Sequence, residues 1–147
     1  MKTTTILVNK HLDRAKQNYF LFLTTEKYLA EMNFKWLRFK IKDKLLHGEG
    51  FLKVKGKTYP VEIFYSPFLY DRGLRMDRIY VRDTAITYND KIHVYRDLSL
   101  CLYHPVIDKP FSGFIPLFKM IPWISEWCIH YEEFKKYGVW LGKEIAH

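Results

Sequence analysis

Long hydrophobic runs are missing from this sequence, and cysteine is rare. No apolar run approaches the roughly 20 residues that a membrane-spanning helix requires, and the first residues, MKTTTILVNKHLDRAK, lack the apolar centre of a secretory signal. The 2 cysteines, Cys101 and Cys128, do not form the dense even pattern of a small secreted scaffold. These absences predict a cytoplasmic protein that keeps both thiols reduced and has no contact with a membrane.

Glycine is also scarce, with 7 residues in the chain. None of them belongs to a glycine-rich phosphate-binding loop, and no serine has the flanking glycines of a Ser-His-Asp hydrolase. A zinc site built from Cys101, His104, Cys128 and His130 is disfavoured, because structural zinc sites place cysteines roughly two to four residues apart. A helical Cys128 and His130 would also point about 200° apart. The sequence therefore predicts neither a bound metal nor a cofactor.

Apolar and aromatic residues, by contrast, are abundant. The chain is 48% hydrophobic and 18% aromatic, so it can bury enough apolar surface to offset the entropy that folding costs. Its 147 residues are close to the commonest length of one domain. We therefore expect residues 1–147 to form a single domain with its own core.

The net charge of +8 is concentrated at the start of the chain. Residues 1–57 hold 13 Lys and Arg against 5 Asp and Glu, whereas residues 58–147 hold 11 of each kind. A basic surface of this sort attracts acidic proteins, nucleic acid or anionic membranes, and charge alone does not choose among them. A solvated face that aids solubility is the simpler interpretation, and it stays open.

The first predicted element is an amphipathic helix from about Lys10 to about Met32, with Asn9 as its cap and a break expected, if anywhere, near Thr24. Glu26 interrupts the apolar stripe of this helix. The stripe recurs at three- and four-residue steps and consists of Leu12, Ala15, Tyr19, Phe22, Leu23, Leu29 and Met32.

Alternating residues predict a strand meander after this helix. The expected strands cover residues 37–42, 51–54, 59–65 and 78–82. Lys55-Gly56 suits a hairpin turn between the second and third of them. Pro60 cannot donate to a sheet ladder, so it should lie where its strand has no neighbour. One face of the third strand is predicted to carry Tyr59, Val61, Ile63 and Tyr65.

The segment from about Asp83 to Phe118 shows no sustained period, and it contains Cys101. Long irregular segments inside a compact domain are commonly functional. A last helix is predicted to have Pro122 in its first turn and Gly138 just past its end. Its apolar side recurs at steps of four, four and three in Trp123, Trp127, Tyr131 and Phe134.

Cys101 is the strongest candidate for a reactive residue. It lies in IHVYRDLSLCLYHP, with His93 eight residues before it and His104 three residues after it. A thiol becomes a nucleophilic thiolate in a polar, partly exposed and electropositive setting, which these imidazoles or the Arg96 guanidinium would supply. By spacing alone, a small buried hydrophobe in a Leu-Cys-Leu strand is the commoner interpretation.

The motifs around Cys101 and in the last helix resemble a known family. DKIHVYRDLSLCLYHP and IPWISEWCIHYEEFKKYGVWLGKE look like the bacterial branch of the ubiquitin-conjugating (UBC) family, which is encoded beside cGAS-like nucleotide synthases in the anti-phage systems called CBASS. The resemblance covers roughly residues 90–144, and the preceding elements match only in their order. The matching positions are His93-Val94-Tyr95, Leu100-Cys101-Leu102-Tyr103, Trp123, Glu126-Trp127, Tyr131-Glu132 and Gly138-Val139-Trp140.

This resemblance implies an α+β, UBC-like fold with an N-terminal helix, an antiparallel four-stranded meander, a long active-site loop and a C-terminal helix. It implies a conjugating transferase in which Cys101 accepts an acyl group as a thioester and passes it to an amine. The implied donor is the C-terminus of a ubiquitin-like protein or of a cGAS-like nucleotidyltransferase (CD-NTase). Tyr103, Asp108 and Phe111 become candidates for lining the approach of the acceptor lysine.

His93 occupies a position that differs from the eukaryotic pattern. Eukaryotic relatives carry His-Pro-Asn with the asparagine eight residues before the cysteine, where its amide supports the oxyanion. His93 falls at that offset, so it is expected to donate a hydrogen bond or move a proton, with a purely structural role as the alternative. The tryptophans are expected to pack under the active loop as support; they are Trp123, Trp127 and Trp140.

The resemblance also bears on partners. The chain ends at His147 without an adenylating domain, so either a separate activating enzyme is expected or the protein works without the full cascade. The basic N-terminal helix and first strands are the expected docking face for an acidic protein surface.

Two alternatives remain beside the conjugating enzyme. One is a non-catalytic module of the same fold that holds a synthase or a ubiquitin-like partner. The other is a binder of single-stranded nucleic acid that stacks bases on the 26 aromatic residues. Nucleic acid is the less favoured partner, because the basic segment has no recognisable binding motif and the aromatics follow core periods.

Overall fold

Two helices and one antiparallel sheet make up the protein over the residues that its computed structural model describes, which are 19–42, 44–66, 77–104 and 115–142. The elements follow in the order α1 (Tyr19–Asn33), β1 (Leu37–Lys42), β2 (Leu45–Val54), β3 (Lys57–Tyr65), β4 (Asp77–Val81), a 3-10 helix (Asp90–Ile92) and α2 (Leu117–Tyr137). The strands lie side by side in the order β1-β2-β3-β4. This α+β arrangement confirms the predicted class and is consistent with a UBC-like fold.

The core lies between the inner face of the sheet and the two helices. The alternate residues of β3 that were predicted to share a face are all buried on it, and they are Tyr59, Val61, Ile63 and Tyr65. Lys55 and Gly56 join β2 to β3 with φ of 49° and 80°. Positive φ at both central residues matches the twist of a two-residue hairpin, so the predicted turn is confirmed. The strand β2 is longer than predicted and begins at Leu45.

Pro60 lies in an interior strand, opposite Phe51 of β2. Its carbonyl accepts a hydrogen bond of 2.7 Å from the N–H of Arg82, one residue after the end of β4. The expectation that the strand has no neighbour at Pro60 is therefore wrong, because β2 pairs with it there. On the side of the strand that faces β4, the missing N–H of Pro60 falls just past the last regular pair, where the loss of a donor does least damage.

The described part of the first helix is unbroken through Thr24, whose hydroxyl donates to the carbonyl of Phe20 at 2.7 Å. One prediction about its faces is wrong, because Met32 is 47% exposed. Glu26, which interrupts the apolar stripe, is buried within the helix face that contacts the core. The remainder of the predicted helix, including Lys10 and the cap Asn9, lies outside the described residues.

The second helix begins earlier than predicted. It starts at Leu117, so Pro122 lies inside the helix and not in its first turn. Tertiary contacts explain the difference, because the backbone N–H of Leu117 finds a hydrogen-bond acceptor on α1. The predicted end is confirmed: Gly138 adopts a left-handed φ of 77°, and its N–H donates to the Phe134 carbonyl at 2.8 Å.

The connection between β4 and α2 is irregular over the part that the structure describes, as the sequence predicted. Its regular features there are the 3-10 helix and an isolated antiparallel bridge between Val94 and Leu100. Neither described helix is both long enough and apolar enough to cross a membrane.

Candidate functional site

A short hairpin brings Cys101 and His93 together. The N–H of Cys101 donates to the carbonyl of His93 at 2.9 Å, and the N–H of Tyr95 donates to the carbonyl of Ser99 at 2.8 Å. Between these two bonds lies the bridge of Val94 with Leu100. The eight-residue spacing seen in the sequence is thus the length of one tight hairpin, whose two ends are the predicted site residues.

The tip of this hairpin is a three-residue loop of Arg96, Asp97 and Leu98. Leu98 has a φ of 70°, a left-handed conformation that such loops require at this place and that glycine usually supplies. The Asp97 carboxylate accepts bonds from the N–H and the hydroxyl of Ser99 at 2.9 and 2.6 Å. It also pairs with Arg78 of β4 at 3.5 Å. These contacts fix the loop in spite of the unfavourable backbone.

The returning arm of the hairpin packs against the end strand of the sheet. The N–H of Leu100 donates to the carbonyl of Ile79 in β4 at 2.8 Å. Cys101 follows directly and is 3% exposed. The sequence argument asked for a partly exposed thiol, and the structure instead places this thiol almost wholly inside, with a rigidly bonded backbone.

His93 is held in a strained conformation by the last helix. Its φ of 56° and ψ of 54° are left-handed, which costs a residue other than glycine about 1 kcal/mol or more. The indole N–H of Trp127 donates to the carbonyl of Ile92 at 2.8 Å and reaches that of His93 at 3.3 Å. The His93 ring lies 4.9 Å from the ring of Trp140, between centroids.

The other predicted residues have different surroundings. Tyr103 is buried, and its hydroxyl donates to the buried carboxylate of Asp77, so in this structure it ties the hairpin exit to β4. The Arg96 guanidinium lies over the exposed ring of Tyr88, 5.1 Å from its centroid. His104 is half-buried beyond Tyr103. The remaining two candidates for the acceptor approach, Asp108 and Phe111, lie outside the described residues.

Cys128 lies in a different environment, on the core side of α2. It is fully buried, and this burial raises the pKa of its thiol to about 12, helped by the nearby carboxylate of Glu132. A thiol with this pKa is almost entirely protonated at neutral pH and is a poor nucleophile. Among the side chains of residues 19–42, 44–66, 77–104 and 115–142, no group of three or more His, Cys, Asp or Glu could hold a metal ion.

A polar cluster beside Cys128 joins α2 to the start of β3. The hydroxyl of Tyr59 donates to Glu132, which also binds Lys57 at 3.0 Å and Lys135 at 2.9 Å. Partial burial alone would raise the pKa of Glu132, but these hydrogen bonds hold it at about 2. Burial and the bond to Glu132 raise the pKa of Tyr59 well above its usual value. The pair therefore stays as neutral phenol and carboxylate.

A hydrogen bond to α2 explains why Glu26 interrupts the apolar stripe of α1. Its carboxylate accepts a 3.1 Å bond from the N–H of Leu117, the first residue of α2. Pro116 occupies the cap position and makes no side-chain capping bond, so Glu26 supplies the cap from another helix. Burial raises the pKa of Glu26, and the Leu117 bond lowers it less. A charged residue within an apolar stripe was the sequence signal for this role.

Comparison with known proteins identifies a family. The model of the family described as "Type II CBASS E2 protein" matches residues 26–147. This range includes the hairpin, both cysteines and all of α2. No curated protein and no solved structure matches the chain significantly.

Proposed function

Because the chain belongs to the Type II CBASS E2 protein family, we propose that it is a conjugating enzyme in which Cys101 carries an acyl group as a thioester. CBASS is its setting and other CBASS components are its partners. We propose that the donor is the C-terminus of a cGAS-like nucleotidyltransferase or of a ubiquitin-like protein, activated elsewhere. The observation that carries this proposal is the 2.9 Å bond from the Cys101 N–H to the His93 carbonyl, which joins the two candidate residues in one rigid hairpin.

In the proposed reaction, the Cys101 thiolate attacks the activated carbonyl carbon and expels the activating group. An amine then attacks the thioester carbon, an amide bond forms, and the Cys101 thiolate leaves. The amine gives up its proton to a base. His93 is proposed to stabilise the oxyanion or to move this proton, because an imidazole can do either near neutral pH.

Support for Cys101 over Cys128 comes from their surroundings. Cys128 is sealed in the core and its pKa is about 12. Cys101 ends the hairpin that also holds His93. Since Cys101 is 3% exposed, the proposal requires that donor binding opens a path to its sulfur.

The test is intact-mass analysis of the protein incubated with a candidate synthase and its activating enzyme. We expect a thiol-labile adduct on the wild type and on Cys128→Ser, and none on Cys101→Ala. Cys101→Ser should replace the adduct by a thiol-resistant ester. An adduct that persists in Cys101→Ala would overturn the assignment.

A second candidate function is a binding module of the same fold that makes no covalent bond. The low exposure of Cys101 favours it. In that case Cys101→Ala and the wild type should bind the synthase and support defence equally. Loss of defence in Cys101→Ala, with synthase binding intact, would exclude the module.

We further propose that the edge strand β1 docks an acidic partner. The described helix α1 contains one lysine and two glutamates, so the basic character of this region comes from the exposed side chains of β1, which are Arg38, Lys40 and Lys42. We expect Lys40→Gln with Lys42→Gln to slow docking severalfold and to reduce its salt dependence. Lys136→Gln, at the exposed end of α2, is the control. Equal salt sensitivity of docking and of thioester transfer would contradict the proposal that β1 is the docking face.

A further inference from the structure

We propose that Trp127 and Trp140 are positioning residues for the Cys101–His93 pair, with Trp127 acting on the backbone of His93 and Trp140 on its imidazole. The inference rests on the function proposed above and assigns to these side chains more than the core packing that the sequence predicted. Their contacts with the Cys101–His93 pair go to His93, so both would act through that residue.

Trp127 contacts the His93 carbonyl, which also accepts a hydrogen bond from the backbone of Cys101. Its indole N–H lies 2.8 Å from the Ile92 carbonyl and 3.3 Å from that of His93. The same His93 carbonyl accepts the N–H of Cys101 at 2.9 Å. Trp127 is buried and stacks on Tyr131 at 5.0 Å, so its N–H has a fixed direction. Removing this donor frees the left-handed peptide of His93 to turn, and the Cys101 backbone moves with it.

Trp140 reaches His93 from the segment that follows α2. Its ring lies 4.9 Å from the His93 ring, 5.6 Å from the His130 ring and 6.0 Å from the Trp127 ring, between centroids. The left-handed Gly138 turns the chain out of the helix. At Gly142 a Cβ would lie 2.5 Å from the His130 ring, so a larger residue there would have to displace that ring before the segment could close on α2. This closure holds the Trp140 ring against the imidazole.

The Trp127 contact and the Trp140 contact differ in whether they need the His93 side chain. The Trp127 bond goes to main-chain oxygens and persists whatever side chain position 93 carries. The Trp140 contact exists only with the imidazole. A structural role in general stability would not separate the two tryptophans in this way, and a double-mutant cycle with His93→Ala therefore distinguishes positioning from packing.

The experiment compares Trp127→Phe, Trp140→Leu and the control Trp36→Phe, each in the wild-type and His93→Ala backgrounds. The single-turnover rate of thioester formation should fall about tenfold in Trp127→Phe in both backgrounds, with the KM for the donor unchanged. Trp140→Leu should lower the rate about fivefold and change its pH profile only where His93 is present. Trp36→Phe, in the turn between α1 and β1, should stay within about twofold of the wild type.

Two readouts need no acyl donor, so they separate this inference from the proposed function. Amide exchange of the Cys101 N–H should become about tenfold faster in Trp127→Phe but not in Trp36→Phe. The NMR titration of the His93 ring should change in Trp140→Leu. If Trp127→Phe does not fold, benzothienylalanine at 127 keeps the ring size and lacks the N–H.

The inference is overturned if Cys101 amide exchange is the same in the Trp127 and Trp36 variants, or if Trp140→Leu leaves the His93 titration unchanged. An equal rate loss for Trp140→Leu with and without the imidazole would also overturn it. Absence of any thioester in the wild type would defeat the proposed function, while the exchange and titration results would still decide the positioning roles.

Discussion

Cys101 and Cys128 are both buried, yet the regions around them are built differently. Cys128 lies on a regular helix facing the sheet, and its burial raises the thiol pKa to about 12. Cys101 lies at the end of an irregular hairpin whose backbone is bonded to His93 and to β4. The comparison shows that two cysteines with nearly equal burial can have very different surroundings. What separates the two is whether the surrounding chain is a regular packed element or a loop held by specific polar bonds.

The largest expected difference between the two cysteines is in chemical reactivity. A pKa near 12 in place of 9.0 lowers the thiolate fraction at pH 8 about a thousandfold. We therefore expect iodoacetamide to label Cys128 about a thousandfold more slowly than a free thiol. Cys101 should react faster than Cys128, although its low exposure keeps its rate below that of a free thiol until a donor binds. Peptide mapping after timed quenching measures both rates. Preferential labelling of Cys128 in the folded protein would reverse the comparison.

The next effect concerns His93, whose backbone is bonded to that of Cys101. His93→Ala should lower the rate of thioester transfer to an amine about a hundredfold, because it removes the imidazole that we propose stabilises the oxyanion or moves the proton. His93→Asn should cost only about tenfold, since asparagine tolerates the left-handed backbone and offers an amide donor. Single-turnover transfer at saturating amine measures both. If the His93→Ala variant transfers the acyl group as fast as the wild type, His93 has no part in the chemistry.

A smaller effect is expected from the polar cluster beside Cys128. The pKa of Glu132, about 2 in the folded state, lies below the usual 4.5 of a glutamate side chain. Its contribution to stability is therefore complete above about pH 4.5 and is lost as the pH falls towards 2. Glu132→Gln should lower the free energy of unfolding by about 2 kcal/mol at pH 7 and flatten this acid dependence.

Urea unfolding between pH 2 and 7 measures that change, and Glu133→Gln on the same helix is the control. An unaltered acid slope in Glu132→Gln would show that other groups set the acid sensitivity. The rate of thioester transfer should be nearly unchanged in Glu132→Gln, provided that the variant stays folded. The bonds of Glu132 go to β3 and α2, beside Cys128.

The smallest effect is expected at Glu26. Burial raises its folded pKa above 4.5, so the stability that this group contributes is present at low pH and is lost as the pH rises through the raised value. Glu26→Gln keeps an oxygen for the Leu117 N–H and carries no charge. We expect it to be neutral or to stabilise by up to about 1 kcal/mol at pH 8. Thermal unfolding at pH 5 and 8, beside the exposed Glu49→Gln, tests this; clear destabilisation at pH 8 would contradict it.

Much of the fold was predictable, because local patterns and burial agree over the sheet. The alternation in β3 and the Lys55-Gly56 turn are local features, and the structure has both. Helix boundaries were less predictable. The start of α2 depends on Glu26, 91 residues earlier in the chain, and no local pattern can reveal a cap that comes from so far away.

For the candidate site, the sequence proposed members but indicated little of their geometry. The eight-residue spacing and the family motifs pointed to Cys101 and His93, and the hairpin brings their backbones together. The low exposure of Cys101, the left-handed His93 and the tryptophan contacts that hold it had no sequence signal of their own. They arise from the packing of α2 against a loop that is remote in sequence.

By itself, the sequence determined the periodic elements and the hairpin turn, because these follow from interactions between neighbours along the chain. Only the tertiary structure decided which buried cysteine lies beside a polar, bonded loop and which is sealed in the core. The reason is physical: the pKa and the orientation of a side chain are set by groups close in space, and at this site those groups come from β4, the hairpin and α2 together.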